Sequence, residues 1–192
     1  MGSLSVQCGE CVFDLCDHNA FDPDVLKEVE AHWSRTIALG LNHSDHYASV
    51  YEFAIRRGAD TIAQAYSVAS GGPSVVQGRS AVCIGSHVIY AQGNQVACIN
   101  VEAGSLLWHV KADMATCWEL YLLLQPSAII VHGELSVSKL WPDGAVAWEV
   151  GGRDIFTGPF EVREDTVLAT DWDEGRYTIR IADGHVTTDF DV

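Results

Sequence analysis

The sequence predicts a mainly β chain: about three antiparallel repeats of 40 residues behind an N-terminal cap that contains a helix. Three observations predict it. Gly104, Gly144 and Gly184 lie 40 residues apart. Each closes a short turn that carries an acidic residue: Glu102-Ala103-Gly104, Pro142-Asp143-Gly144 and Ala182-Asp183-Gly184. Strand-like alternation flanks every one of these turns. Self-similarity at such a period marks supersecondary units stacked on one another.

The N-terminal part comes first in the chain. Residues 22–37 read as a helix. Asp22 suits the N-cap and Pro23 the first helical position. Val25, Val29, Trp33 and Ile37 recur every four residues as one apolar stripe, which suits covering a sheet face or edge. Residues 51–66 read as strand, turn and strand about Gly58, although their Ala and Arg content also suits a helix. Gly58 lies 46 residues before Gly104, so the period slips there. The run Ser70-Gly71-Gly72-Pro73-Ser74 is the clearest break. It divides the chain into a cap, residues 1–73, which has room for one degenerate repeat, and the regular repeats, residues 74–192.

Each regular unit then supplies about four short strands. The first set is 81–84, 120–124 and 160–162. The second is 87–91, 128–132 and 166–170. The third, 96–101, 136–141 and 176–181, leads into the turns, and the fourth, 106–110, 146–150 and 186–190, leaves them. Period-2 alternation rich in β-branched and aromatic residues around a glycine turn is the hairpin signal. Four strands is the size of one propeller blade.

Gln95–Trp108 and Pro142–Trp148 carry a resemblance. Strand, acidic turn with Gly, two apolar residues and Trp together resemble the repeat of the quinoprotein-like (PQQ-type) β-propellers. The third copy departs, with Thr188 in the place of Trp. The resemblance covers roughly residues 75–192 and implies propeller-like antiparallel repeats. It implies little about activity. Quinone-bearing members have many blades, a calcium site and vicinal cysteines. This chain has no adjacent Cys pair and too few repeats, so no cofactor is expected. Trp108 and Trp148 are expected to be core aromatics between neighbouring sheets. Three repeats are few for a closed ring. That leaves a small irregular propeller, an open stack capped by the N-terminal region, or a ring completed between subunits of a homo-oligomer.

Composition narrows the function. The chain is 48% hydrophobic and 19% charged, enough for a real core. No apolar run reaches the length of a membrane helix, and no secretory signal is evident. The six cysteines are scattered, so the expectation is a cytoplasmic protein with reduced thiols. The net charge is −15, from 26 acidic and 11 basic residues. Such a field repels nucleic acid and anionic membranes and favours a protein partner with a basic surface. The densest acidic patch is Asp171-Trp172-Asp173-Glu174, and a loop Trp among carboxylates makes a good interface anchor. These four residues are the candidate binding site.

Chemistry is sparse. Cys8, Cys11, Cys16 and His18 have the spacing C-x2-C-x4-C-x-H. Alternation through Val12–Leu15 sends Cys11, Phe13 and Leu15 one way, and Cys8, Val12 and Cys16 the other. That splits the set, so no metal is expected. No thioredoxin-like context supports a redox-active C-x2-C. His43 and His46 lie in a loop with no third ligand in sight and read as surface histidines. There is no G-x-S-x-G, and no G-K-[ST] follows Gly71-Gly72-Pro73. The leading expectation is a non-enzymatic protein-binding module, for example an acidic inhibitor of the immunity type. The rival is a small enzyme or ligand-binding protein with a pocket at the mouth of the β repeats.

Overall fold

Why a 40-residue period should specify a structure is visible in how each turn meets the sheet before it. The computed structural model describes residues 2–18, 20, 22–41 and 48–190. These build four small sheets, mainly antiparallel. The first is five-stranded. It contains β1 (Ser3–Cys8), β2 (Cys11–His18), β3 (Ile37–Leu39), β4 (Ser49–Arg57) and β5 (Asp60–Ala69). Their order is β1-β2-β4-β5-β3, with β3 parallel to β5 at the edge. The other three are four-stranded meanders. The second sheet is β6 (Ala81–Ile84), β7 (His87–Gln92), β8 (Gln95–Asn100) and β9 (Ser105–Lys111). The third is β10 (Cys117–Leu124), β11 (Ser127–Gly133), β12 (Ser136–Leu140) and β13 (Val146–Gly151). The fourth is β14 (Phe160–Val162), β15 (Thr166–Thr170), β16 (Arg176–Arg180) and β17 (Val186–Thr188). All twelve strands read from the repeats are present, with ends moved by a few residues.

Apolar clusters join the sheets in sequence. Phe13, Leu15, Phe53 and Ile55 of the first pack on Val88, Tyr90, Ala97 and Ile99 of the second. Ile89, Val96 and Cys98 meet Leu120, Ile129 and Val131 of the third. Ile130 and Val137 meet Val167, Tyr177 and Ile179 of the fourth. Among the described residues no such cluster joins the fourth sheet to the first. Strands covered on both faces read as continuous apolar runs. Accordingly, residues 88–92 and 128–133 are buried throughout, while β15, covered on one face, alternates.

The period lies in the joints between sheets. Trp108 Nε1–H donates to Pro142 O at 3.1 Å, and a Cβ on Gly144 would sit 2.8 Å from the Trp108 ring. Trp148 Nε1–H donates to Ile181 O at 3.0 Å, and Gly184 stands equally close beneath that ring. Each glycine has positive φ, +87° at Gly144 and +75° at Gly184. The turn thus needs glycine twice, for its backbone and for the indole lying on it. Ala63 of the first sheet covers Gly104 in the same way.

Register explains the odd third copy. Val82, Ile89, Cys98 and Trp108 form one row across the second sheet. Tyr121, Ile130, Lys139 and Trp148 form the same row across the third. In the fourth sheet the row is Glu161, Leu168, Thr178 and Thr187. Among the described residues it faces no further sheet, and Glu161, Thr178 and Thr187 are exposed. A Trp there would have no described turn to cover.

Two expectations change at the N-terminus. The helix α1 runs only over Pro23–Ala31. Asp22 caps it, accepting from Asp24 N–H at 2.9 Å. Val25, Val29 and Trp33 do pack together on Val50 and Val68, covering the outer face of the first sheet. But the chain leaves the helix at His32 (φ −110°) and turns once through Trp33–Arg35, and Ile37 enters β3 beside β5. A spacing of four suits both paths, and β-branched Thr36 and Ile37 favour the strand. The stretch 51–66 is the strand-turn-strand hairpin about Gly58 that its sequence suggests, inside the five-stranded sheet.

The second correction concerns the cysteines. Cys8 forms a disulfide with Cys83, tying β1 to β6 and so the first sheet to the second. The Gly9-Glu10 turn reverses the chain, so Cys8 pairs across from Cys11 on one face rather than sharing the face of Cys16. The expectation of uniformly reduced thiols is corrected at Cys8 and Cys83, while Cys11, Cys16, Cys98 and Cys117 are free. Among the described residues no helix is long and apolar enough to cross a membrane.

Candidate functional site

The predicted contact loop is the turn between β15 and β16. Its four residues divide. Asp171 is buried, and its carboxylate is spent inside the turn: Oδ1 accepts from Gly175 N–H at 2.7 Å and Oδ2 from Tyr177 O–H at 2.8 Å. Glu174 takes a left-handed backbone (φ +62°) to close the turn on Asp171. Trp172, Asp173 and Glu174 are exposed, Trp172 at 67%. So Asp171 shapes the loop, and the other three form the surface. The Trp172 backbone is pinned by its N–H to Ile155 O at 2.8 Å.

The loop does not stand alone. A chain of backbone hydrogen bonds crosses the same end of the stack: Glu134 N–H to Thr116 O and Phe156 N–H to Glu134 O, both at 2.7 Å, then Trp172 to Ile155. Asp113 organises its start. It is buried and accepts from Ala115 N–H at 2.6 Å, Ser136 N–H at 2.8 Å and Leu135 N–H at 3.0 Å. Two buried carboxylates therefore fold the connecting loops, and the loops hold Met114, Leu135 and Trp172 out to solvent. Charge-assisted bonds to backbone N–H make such loops stiff. The result is an end face with three projecting apolar side chains among Glu134, Asp173 and Glu174.

A second feature, missed in the sequence, lies along β10. A hollow of about 490 Å³ is lined by Trp118, Glu119, His132 and Phe160 among others. His132 is buried, stacked on Phe160 with ring centroids 3.9 Å apart. Its Nε2–H donates to Phe156 O at 3.0 Å, and its bare Nδ1 faces Glu119 at 3.8 Å. Burial lowers its pKa below the ordinary histidine value, against the opposing pull of the Phe156 carbonyl, Glu119 and Asp113. The unfolded chain then binds a proton that the folded chain resists. The expected result is full stability above the ordinary histidine range and loss of stability as pH falls through the lowered value. Urea midpoints at neutral and mildly acid pH check this, and His132→Gln should flatten the acid side.

The cysteine constellation holds no metal-ready arrangement. Cys8 is in the disulfide, and Cys11 is buried beside it. Cys16 and His18 point to the other face of β2, where His18 meets Glu52 at 3.2 Å. Among the described residues no group of three or more His, Cys, Asp or Glu is placed to hold a metal ion. Burial raises the Cys98 thiol to about 11 and that of Cys117 further, which suppresses thiolate chemistry at both. His43 and His46 lie outside the described residues.

No family model and no curated protein matches the chain. Among solved structures it is similar to the crystal structure of the computationally designed Ika8 protein, with a TM-score of 0.52 and 9% identity. The likeness covers 96% of this chain, which spans 60% of the length of that protein. At such identity the likeness concerns the fold alone.

Proposed function

We propose that this chain is a non-enzymatic protein-binding module on an open stack of propeller-type blades, and that its acidic end face recognises a partner with a basic surface. The observation that carries the reading is Trp172. It is a large aromatic, 67% exposed, followed by two exposed carboxylates, Asp173 and Glu174, on a turn that Asp171 locks from within. Exposed Trp on a preorganised loop is the residue type that anchors interfaces. Met114 and Leu135 extend the apolar part, and the net charge of −15 supplies long-range attraction. An inhibitor of the immunity type is one form of this reading.

The propeller reading rests on the joints. The motif that resembles PQQ-type repeats, glycine turn plus Trp, is here the contact of one sheet's indole with the next sheet's turn. The open form rests on the two ends. Helix α1 covers part of the first sheet's outer face, and the outer row of the fourth is mostly polar. Such a row suits solvent better than ring completion by a second copy.

The reading predicts capture of a basic protein from a lysate of the source organism, in stoichiometric amount at low salt. At about 0.5 M salt, where screening acts within roughly 4 Å, that capture should fall away. Retention of the same partner at equal strength in both conditions would contradict it.

A further inference from the structure

At the opposite end of β11 from the acidic face, the third and fourth sheets part around a groove of about 1050 Å³. Its walls carry Arg79, Lys139, Arg163 and Arg180, four of the chain's eleven basic residues. That is a concentration of positive charge in an otherwise acidic protein. Three carboxylates also line it, those of Glu161, Glu164 and Asp165. Arg163 is paired with Glu161 at 2.9 Å, and Arg180 with Asp183 at 2.6 Å. Among the described residues Arg79 and Lys139 have no carboxylate partner.

Lys139 is the unusual one. It is 2% exposed. Its ammonium donates to Ile181 O at 3.0 Å and stands 4.6 Å from the centre of the Trp141 ring. Both residues line the groove. One carbonyl uses one of three N–H donors, and neither contact neutralises the charge. A buried ammonium is costly unless an anion meets it. The fold does not require the charge there. The same place in the second sheet's row is Cys98, and that joint is closed by Trp108 and Pro142 without any ammonium. Trp148 already supplies a donor to Ile181 O in the third.

The rest of the groove is aromatic. Trp141 is 37% exposed, Phe160 is half-buried, and Tyr121 lies beneath the Arg79 guanidinium at 4.4 Å. Tyr121 and Lys139 stand two strands apart in one row, about 10 Å at ladder spacing. We infer that the groove binds an amphipathic organic anion. Its carboxylate, sulfonate or phosphate group meets Lys139, and its flat apolar body lies along Trp141, Phe160 and Tyr121 toward Arg79. The groove and the acidic end face share none of these residues, so either stands without the other.

The test titrates the full chain with 8-anilinonaphthalene-1-sulfonate and with its neutral relative N-phenyl-1-naphthylamine. The sulfonate is expected to saturate at one molecule per chain, and the neutral amine to bind about tenfold more weakly. Phenyl phosphate or benzoate should displace the sulfonate, and whichever competes better identifies the head group. Inorganic phosphate at the same concentration should not, because it lacks the body. Lys139→Met keeps the volume, removes the charge, and should weaken the sulfonate about tenfold. Arg79→Ala, at an exposed position, reads the groove without disturbing the core and should weaken it about threefold. Equal binding of the charged and neutral probes would overturn the inference, as would sulfonate binding unchanged by Arg79→Ala. Displacement by inorganic phosphate as effective as by phenyl phosphate would overturn the amphipathic body.

Discussion

Trp148→Ala is expected to cost the protein about 3 kcal/mol of stability. Trp148 packs in the cluster between the third and fourth sheets, lies on Gly184, and donates to Ile181 O. Removing it opens a cavity in the joint and leaves that carbonyl with Lys139 alone. Gly144→Ala attacks the preceding joint from the other side. The added Cβ would meet the Trp108 ring at 2.8 Å in a backbone with φ +87°, so crowding adds to left-handed strain. The contrasting substitution is Thr187→Trp. It places an indole in the outer row of the fourth sheet, which no described turn covers, and should leave stability within about 0.5 kcal/mol. Urea unfolding of the three variants reads all of this. A gain from Thr187→Trp comparable to the loss from Trp148→Ala would mean that the outer row does have a surface to pack on.

Opening the disulfide should have a similar effect. Cys8 and Cys83 are 75 residues apart in sequence, and the bond spans the first two sheets. By the entropy of the closed loop it contributes up to about 4 kcal/mol. The Cys8→Ser, Cys83→Ser double variant should therefore unfold at lower urea by a corresponding margin, and reductant should add nothing further to it. Alkylation of the denatured, unreduced protein should modify four thiols, those of Cys11, Cys16, Cys98 and Cys117. Six modified thiols would remove the bond.

What could be read in the sequence was what repeats locally. Gly104, Gly144 and Gly184, and the strands around them, stood out because a hairpin is encoded within about ten residues. The Trp positions stood out too, and so did their place between neighbouring sheets; what stayed hidden was the partner, the glycine turn of the sheet that follows. Thr188 looked like a broken repeat. In register Thr188 lies across from Tyr177 on the inner face, and the place of the Trp falls to Thr187, on an outer row that no described sheet covers. The N-terminal helix overran its true end because Val25, Val29, Trp33 and Ile37 keep their spacing through a turn and into a strand. The Cys8–Cys83 bond had no local signal at that separation. Asp171 looked like one more exposed acid, and only the fold shows its oxygens turned inward. The groove was invisible because two sheets make it. Its one trace was Lys139, a charge in a strand position that its counterpart fills with Cys98.

The central claim is that the Trp172 loop is the binding surface. The measurement that tests it most directly compares capture by the native protein and by Trp172→Ser under the same low-salt conditions. Trp172 is largely outside the core, so the variant should keep the native unfolding midpoint. The account predicts that a basic protein held by the native chain is lost from the variant, a change of about 2 kcal/mol or more. Equal recovery of the same partner by both proteins would contradict it and move the interface elsewhere on the molecule.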